Sequence, residues 1–364
     1  MRILALQPYN ALSHRAFLAG WCRHSRHDFT IEQFPGRHFK WRYRQAPIGF
    51  AQAIERDADR PTHFDVLWCT SMLDLAAFRG LCPSVTHVPT VVYFHENQLA
   101  YPAKHDDPRD IHFGLSQMTA ALAAIASHRG RSTKCVWWNS AYNRDSFLDA
   151  LDTLLRNMPD HRPSDTIETI RKHSAVYYPG IDPIDAPERQ QYDPPTILWA
   201  ARWEHDKGPG LFFDALDELA RRGVGFRLNV VGQQFAQWPE CFALAHERFA
   251  DRIDYWGYQR ERSTYRAALI ASDVIVSTSR HEFFGLAVAE AVSAGCAAVL
   301  PDALAYPEVW GEAAVYHDQT PAGVADAIER VLAHRDRAAA SRAADRFAWS
   351  NVAPKLDDAI EALR

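Results

Sequence analysis

The sequence predicts an α/β protein made of two domains of similar size that face each other across a cleft. Three observations carry this expectation. Short apolar runs alternate with helical patterns from one end to the other, the rhythm of parallel sheets covered on both faces. The rhythm is interrupted once, near the middle, by PGIDPIDAPERQQYDPP, a stretch rich in proline and charge as linkers are. Polar groups also follow directly on an apolar run, where ligands bind in open α/β sheets.

In the first half, strands are expected at residues 3–6, 66–69, 90–94, 136–139 and 176–178, with helices at 113–127 and 143–155. In the second half, strands are expected at 197–200, 227–231, 253–256, 274–277 and 297–300. Helices there are expected at 209–222, 262–271 and 285–294. Pro209 suits a first helical position and Gly223 the residue after a helix end. A closing helical pattern over 347–364 follows a linker-like stretch of alanine and arginine. The domains are thus set at 1–180 and 196–346, joined by 181–195, with 347–364 crossing back to the first.

Bulk properties narrow the function. The 364 residues suit two domains. The 47% hydrophobic and 23% charged residues are those of an ordinary globular protein. No apolar run approaches the ~20 residues of a membrane span. The sequence enters a strand at once, without a charged-then-apolar leader, which leads us to expect a cytoplasmic protein that does not engage membranes. The six cysteines form no CxxC pair and read as reduced, mostly buried thiols. A formal net charge of −5 provides no global attraction for nucleic acid, so an RNA partner would need a local basic patch.

The strongest local signal is HEFFGLAVAE, from His281 to Glu290, after an expected strand and opening an expected helix. Gly285 permits close approach to the backbone, and the N–H groups of Phe284, Gly285 and Leu286 suit anionic oxygen. Glu290 lies about two helical turns beyond Glu282, so both carboxylates can point to the hydroxyls of one ligand. The competing reading is a helix-start Glu282 favoured by the dipole and a solvated Glu290. The second signal is the loop RWEHDKGP, which brings Arg202 and Lys207 to a strand-to-helix turn. Cations held in place there can stabilise a departing diphosphate, Arg202 bidentately and Lys207 as a point charge. The alternative is a surface ion-pair cluster with Glu204 and Asp206. The third is HENQ, which puts His95, Asn97 and Gln98 directly after a buried strand; a lone histidine there is more often structural, and it is the polar run that favours function over that alternative.

Asp57 and Asp59 form an Asp-x-Asp within a charged run and read as a solvated face. HExxH, zinc-spaced Cys/His, GxGxxG and Walker patterns are absent from the sequence, so no metal or cofactor is expected and dehydrogenases and P-loop hydrolases are disfavoured. The run from Arg37 to Arg44 interleaves basic and aromatic residues. It can bind phosphates and stack bases, or be a solvated basic strand or loop.

The EFFGLAVAE segment resembles the Glu-x7-Glu region of retaining glycosyltransferases of family 4. Their GT-B fold sets two facing Rossmann-like domains around a deep interdomain cleft. RWEHDKGP is similar to their Arg and Lys diphosphate clamp. The likeness is closer still to the tRNA-queuosine mannosyltransferase family. It is carried by FKWRYR, YFHENQLAYP, DSFL, PDHRPSD, RWEHDK, WGY, HEFFG and YPE, and by FAWS at 347–350, across nearly the whole chain. In place of the Gly-Gly turn that many family 4 enzymes carry after the first strand, residues 9–14 read YNALSH, which makes Ser13 and His14 the alternatives there. The long insertion between the domains of vertebrate members is lacking.

The resemblance implies a metal-independent hexosyltransferase that moves mannose from GDP-mannose to the cyclopentenediol of queuosine in the tRNA anticodon loop. The catalytic set it implies is His95, Arg202, Lys207 and Glu282. Phe284, Gly285, Leu286 and Glu290 would complete the donor site. Ser13, His14, Lys40, Trp41, Arg42, Arg44, Asn97 and Gln98 would serve the acceptor. A family 4 enzyme acting on lipid or polysaccharide, and a non-catalytic RNA-binding module on the same scaffold, are the competing functions.

Overall fold

The computed structural model of the protein describes residues 1–56, 63–101, 111–185, 194–235, 237–334 and 337–363. Asp57 and Asp59, and most of the expected 181–195 linker, lie outside these described residues. The chain divides into one unit of Met1–Gly180 with Trp349–Arg364, and a second of Ile181–Ala348. Each is built on a wholly parallel six-stranded sheet.

In the first unit the strands are β1 (Arg2–Asn10), β2 (Asp28–Pro35), β3 (Val66–Thr70), β4 (Thr90–Phe94), β5 (Val136–Trp138) and β6 (Ser174–Val176), in the order β2-β1-β3-β4-β5-β6. Its helices are α1 (Leu12–His24), α2 (Phe39–Arg56), α3 (Leu75–Leu81), α4 (Ile111–Ser127), α5 (Ala141–Arg156) and α6 (Asp165–Lys172). β3 and β4 are buried at every position, because a parallel strand covered on both faces cannot alternate polar with apolar. β2 is an edge strand with a half-exposed alternation, and this weak signal is why the sequence reading passes over it.

Two expectations are corrected here. Residues 9–14 are not a loop. β1 runs through Asn10 and α1 starts at Leu12, which puts Ser13 and His14 on the first helical turn. The basic segment 37–44 is neither strand nor solvated loop. From Phe39 it is the start of α2, because Tyr43, Ala46, Pro47, Phe50, Ala51 and Ile54 recur at helical spacing and are buried along one side.

In the second unit the strands are β7 (Thr196–Ala200), β8 (Arg227–Val231), β9 (Ile253–Gly257), β10 (Val274–Val276), β11 (Ala297–Pro301) and β12 (Ala314–His317), in the order β12-β11-β10-β7-β8-β9. The helices are α7 (Pro209–Arg221), α8 (Cys241–Arg248), α9 (Arg262–Ile270), α10 (Leu286–Ser293), α11 (Tyr306–Trp310), α12 (Pro321–Ala333) and α13 (Arg337–Ala344). The alanine- and arginine-rich stretch that reads as a linker is α13.

α7 shows how sequence sets an element. Pro209 opens it, and Phe212, Phe213, Ala215, Leu216 and Leu219 fill its core face. Gly223 ends it at φ +78, with Val224 N–H returning to the Leu219 carbonyl. Each large apolar side chain buried this way contributes roughly 1.5–3 kcal/mol.

The helix α14 (Trp349–Glu361) belongs to the first unit. Its Trp349 indole lies where a Cβ on Gly20 or Gly180 would be, 2.1 and 2.3 Å from ring atoms, so only glycine fits at either position. Its Asp357 accepts from Trp21 Nε1 at 2.8 Å, Ser25 Oγ at 2.7 Å and the Arg26 amide at 2.9 Å. Among the described residues no helix is long and apolar enough to cross a membrane.

Candidate functional site

In the second unit the groups of interest stand at the carboxyl ends of β7 and β10. The β7–α7 loop is laced to the segment after β10. Thr278 Oγ1 donates toward the Lys207 and Gly208 carbonyls at 3.1 and 2.9 Å, and the Arg280 amide donates to the Asp206 carbonyl at 2.8 Å. Gly208 is left-handed at φ +62, and a Cβ there would sit 2.2 Å from the Thr278 carbonyl oxygen, so this lacing requires glycine.

The lacing delivers Lys207, 6% exposed, to Glu282. Lys207 Nζ donates to the His281 carbonyl at 2.7 Å and lies 3.3 Å from Glu282 Oε2 and 3.5 Å from Asp206 Oδ2. Arg202 pairs with Glu204 at 3.0 Å. The ion pairs offered by the competing reading are therefore present, but Lys207 is buried, which a solvated surface cluster does not require. Burial works to raise the Glu282 carboxyl, yet the Lys207 charge and the Phe284 amide hold it below the usual range. His281 is pushed down to about 4 by burial and by Lys207 beside it.

Glu282 Oε1 accepts from the amides of Phe283 and Phe284 at 3.1 and 3.4 Å. The Phe284 N–H, expected to meet an anionic ligand, is thus turned onto Glu282. Gly285 follows at φ +91 as the residue capping α10, and Leu286 opens the helix with first-turn amides that have no intrahelical acceptor. Tyr306 packs beneath this turn, 3.0 Å from where a Gly285 Cβ would stand, and its hydroxyl meets Ser277 Oγ at 2.7 Å. Glu290, on the second turn of α10, is not solvated. Its Oε2 accepts from Tyr265 Oη at 2.8 Å and its Oε1 from Arg262 at 2.5 Å.

Beside these groups, at the ends of β8 and β9, a cavity of about 450 Å³ is lined by Gln233, Gln234, Tyr258 and Arg260. Sequence reasoning missed it as a site. The available signal was Gly232 immediately after β8, where a Cβ would strike the Ala201 carbonyl, together with the WGY stretch that ends in Tyr258.

In the first unit the buried side chains at the corresponding strand ends are uncharged, while the carboxylate of Glu96 is only half-buried. His95 follows β4, and its ring lies against His14 of α1 with centroids 4.1 Å apart, enclosed by Tyr93 and Phe17. Burial pushes His14 down to about 4 and His95 well below the ordinary histidine value, so both are neutral near pH 7. His14 Nδ1 and His95 Nε2 have no hydrogen-bond partner among the described residues. Ser13 is exposed.

Asn97, expected to touch an acceptor, is instead committed to the fold. Its amide donates to the Asn143 carbonyl, Asn143 Oδ1 and Ser146 Oγ, and its Oδ1 takes the Ala100 amide at 2.7 Å. Gln98 Nε2 reaches Glu96 Oε1 at 3.2 Å. On the first turns of α2, Lys40 and Arg44 are exposed and Trp41 is 62% exposed, so Trp41 is not a core residue. Arg44 lies over the Phe113 ring, while Arg42 covers Phe34 and bonds Gln45.

Comparison with known proteins bears on both units. Residues 2–181 match the family described as tRNA-queuosine alpha-mannosyltransferase N-terminal, and 194–334 match glycosyl transferases group 1. The chain is 33% identical over 327 residues to the Drosophila melanogaster tRNA-queuosine alpha-mannosyltransferase, covering 86% of this chain and 83% of that one. It is 28% identical to a Mycobacterium tuberculosis GDP-mannose-dependent alpha-(1-6)-phosphatidylinositol dimannoside mannosyltransferase, over 46% of this chain and 45% of the relative. Among solved structures, Anabaena HepE with UDP and glucose matches at TM-score 0.63 and 16% identity over 99% of each chain. A Rickettsia africae glycosyltransferase matches at 0.66 and 16% identity, over 100% of this chain and 98% of that one. At these identities the structures speak for the fold, which is that of GT-B glycosyltransferases.

Proposed function

The chain belongs to the tRNA-queuosine alpha-mannosyltransferase family, and we propose that it moves mannose from GDP-mannose to queuosine in the anticodon loop of tRNA. Lys207 carries this reading: a buried cation held against Glu282 at the turn that opens α10. As the bond between mannose C1 and the diphosphate oxygen breaks, negative charge grows on the leaving group. Lys207, Arg202 and the amides of Gly285 and Leu286 offset that charge without reorganisation. Glu282 accepts from sugar hydroxyls and Glu290 from those of the ribose. The cavity at Tyr258 and Arg260 seats the base, with the Tyr258 ring for stacking and Arg260 for its edge.

A queuosine hydroxyl bonds to C1 as the diphosphate departs, and its proton passes to the departing diphosphate oxygen. The alpha linkage in the relative's name supports a retained configuration. With the charge carried by Arg202 and Lys207, the reaction requires no divalent metal. Lys40, Trp41, Arg42 and Arg44 on α2 present the RNA, and a tRNA acceptor supports a cytoplasmic enzyme. The relative named for a phosphatidylinositol acceptor matches under half of this chain, whereas the queuosine relative matches 86%, and this favours tRNA over lipid.

The test is to incubate the protein with GDP-mannose and total tRNA from queuosine-containing and queuosine-free cells, with and without EDTA, and weigh the nucleosides. The expected result is one added hexose on queuosine alone, undiminished by EDTA. Hexose on queuosine-free tRNA, or on neither, overturns the acceptor. Loss on chelation with rescue by magnesium or manganese overturns the metal-free mechanism.

A further inference from the structure

Glu290 stands in the donor reading as the acceptor of ribose hydroxyls, yet its carboxylate is not a free side chain. α9 sends two residues to it, one turn apart on the same helix face. Tyr265 donates its hydroxyl to Oε2 at 2.8 Å, and the Arg262 guanidinium takes Oε1. The guanidinium also lies 5.2 Å over the Tyr265 ring, so the three groups close a triangle in which each fixes the other two. Burial and the neighbouring Glu290 charge keep the Tyr265 phenol well above its ordinary value, so it remains a donor at any physiological pH.

A carboxylate offers about four lone-pair positions. Two are occupied from α9, and two remain for a vicinal diol that arrives with two hydroxyl donors. A glutamate without the triangle would have to give up its rotamer freedom on binding, whereas here that freedom is already lost.

We propose that Tyr265 and Arg262 are positioning residues for the donor: they orient the Glu290 carboxylate so that its remaining lone pairs receive the 2′- and 3′-hydroxyls of the nucleotide's ribose, and thereby set discrimination between ribo- and deoxyribonucleotides. The inference rests on the reading that Glu290 meets the ribose. It adds that this contact is prepared from the neighbouring helix, by residues that do not themselves touch the sugar.

The test measures dissociation constants of GDP, 2′-deoxy-GDP and 3′-deoxy-GDP by calorimetry for the wild type, Tyr265→Phe, Arg262→Gln and Glu290→Gln, alongside thermal melting. In Tyr265→Phe the affinity for GDP falls about tenfold, while the deoxynucleotides change by no more than about twofold, so the preference for ribose shrinks. Arg262→Gln shifts the same ratio in the same direction by about threefold. Because Arg262 is 56% exposed, this variant keeps the test decisive even if Tyr265→Phe does not fold.

An unchanged ratio in both α9 variants, with a collapsed ratio in Glu290→Gln, overturns the proposal and leaves the ribose reading standing. An unchanged ratio in Glu290→Gln removes the ribose reading, and the proposal with it. Equal weakening of all three nucleotides with a lowered melting temperature shows that the triangle only staples α9 to α10, and also overturns the proposal.

Discussion

The two units share an architecture and differ in what they place at their strand ends. Behind β7 and β10 the side chains are charged and matched: Lys207 to Glu282, Arg202 to Glu204, Arg262 to Glu290. Behind β4, and on α1 beside it, they are uncharged and buried: His14, His95, Asn97, Asn139 and Asn143. A cation already desolvated against a carboxylate, as Lys207 is, suits a ligand whose negative charge grows during reaction. The amides of Asn97 and Asn143 are spent on one another and on the fold, and the buried rings of His14 and His95 stay neutral. The charged set is the one that the proposed departure of a diphosphate calls for.

The hardest blow to the contrast is Lys207→Ala. Removing the buried cation should lower kcat/KM by on the order of a hundredfold or more, equivalent to roughly 2.7 kcal/mol of transition-state stabilisation. Steady-state kinetics with GDP-mannose and queuosine tRNA read this directly. A variant with near-wild-type kinetics would mean that the second unit's charges are structural.

The next test concerns the neutral histidines. For His14 the folded value, about 4, lies below the ordinary 6.5, so the unfolded chain takes up the proton first as pH falls. Its effect on stability is absent above about pH 6.5 and grows as pH drops toward 4, by up to about 1.4 kcal/mol per pH unit. Denaturant unfolding at pH 7, 6 and 5 should show this decline, and His14→Phe should lessen it. Parallel declines in the variant and the wild type would remove His14 from the neutral set.

The mildest effect is expected on α2. Arg42→Ala with Arg44→Ala should flatten the slope of log K against log salt for tRNA binding by about one to two units, leaving GDP affinity unchanged. An unaltered slope in a folded variant would move the RNA elsewhere.

How legible each site was in the sequence follows from the same contrast. The charged site is written in two short runs, RWEHDKGP and HEFFGLAVAE, each a strand end, a loop and a helix start, so residue type and spacing exposed it. What escaped was supplied across distance. Tyr265 and Arg262 come from another helix, Tyr306 from below the turn, and the cavity from two separate strand ends. The neutral site was less legible still. His95 stood out after its strand, but nothing local shows that His14 stacks on it, or that Asn97 is spent on Asn143 and Ser146. An asparagine signals its role only through its partners, and those lie more than forty residues away in sequence. The alternating domains were plain, because buried parallel strands leave continuous apolar runs. The edge strands β2 and β12 and the amphipathic start of α2 carry weaker patterns, and went unrecognised.

One feature of the fold reaches into the protein's synthesis. Trp349 fills the space over Gly20 and Gly180, and Asp357 ties down Trp21, Ser25 and Arg26, so the first unit lacks a wall until α14 has left the ribosome. The second unit, residues 181–348, is contiguous and needs nothing made later. At a translation rate of about 5–20 residues per second, the unit begun first waits roughly nine to thirty-seven seconds for its final helix. During that interval the face of α1 that will receive Trp349 is open to water. The part of the chain that emerges second is therefore the part that can finish first.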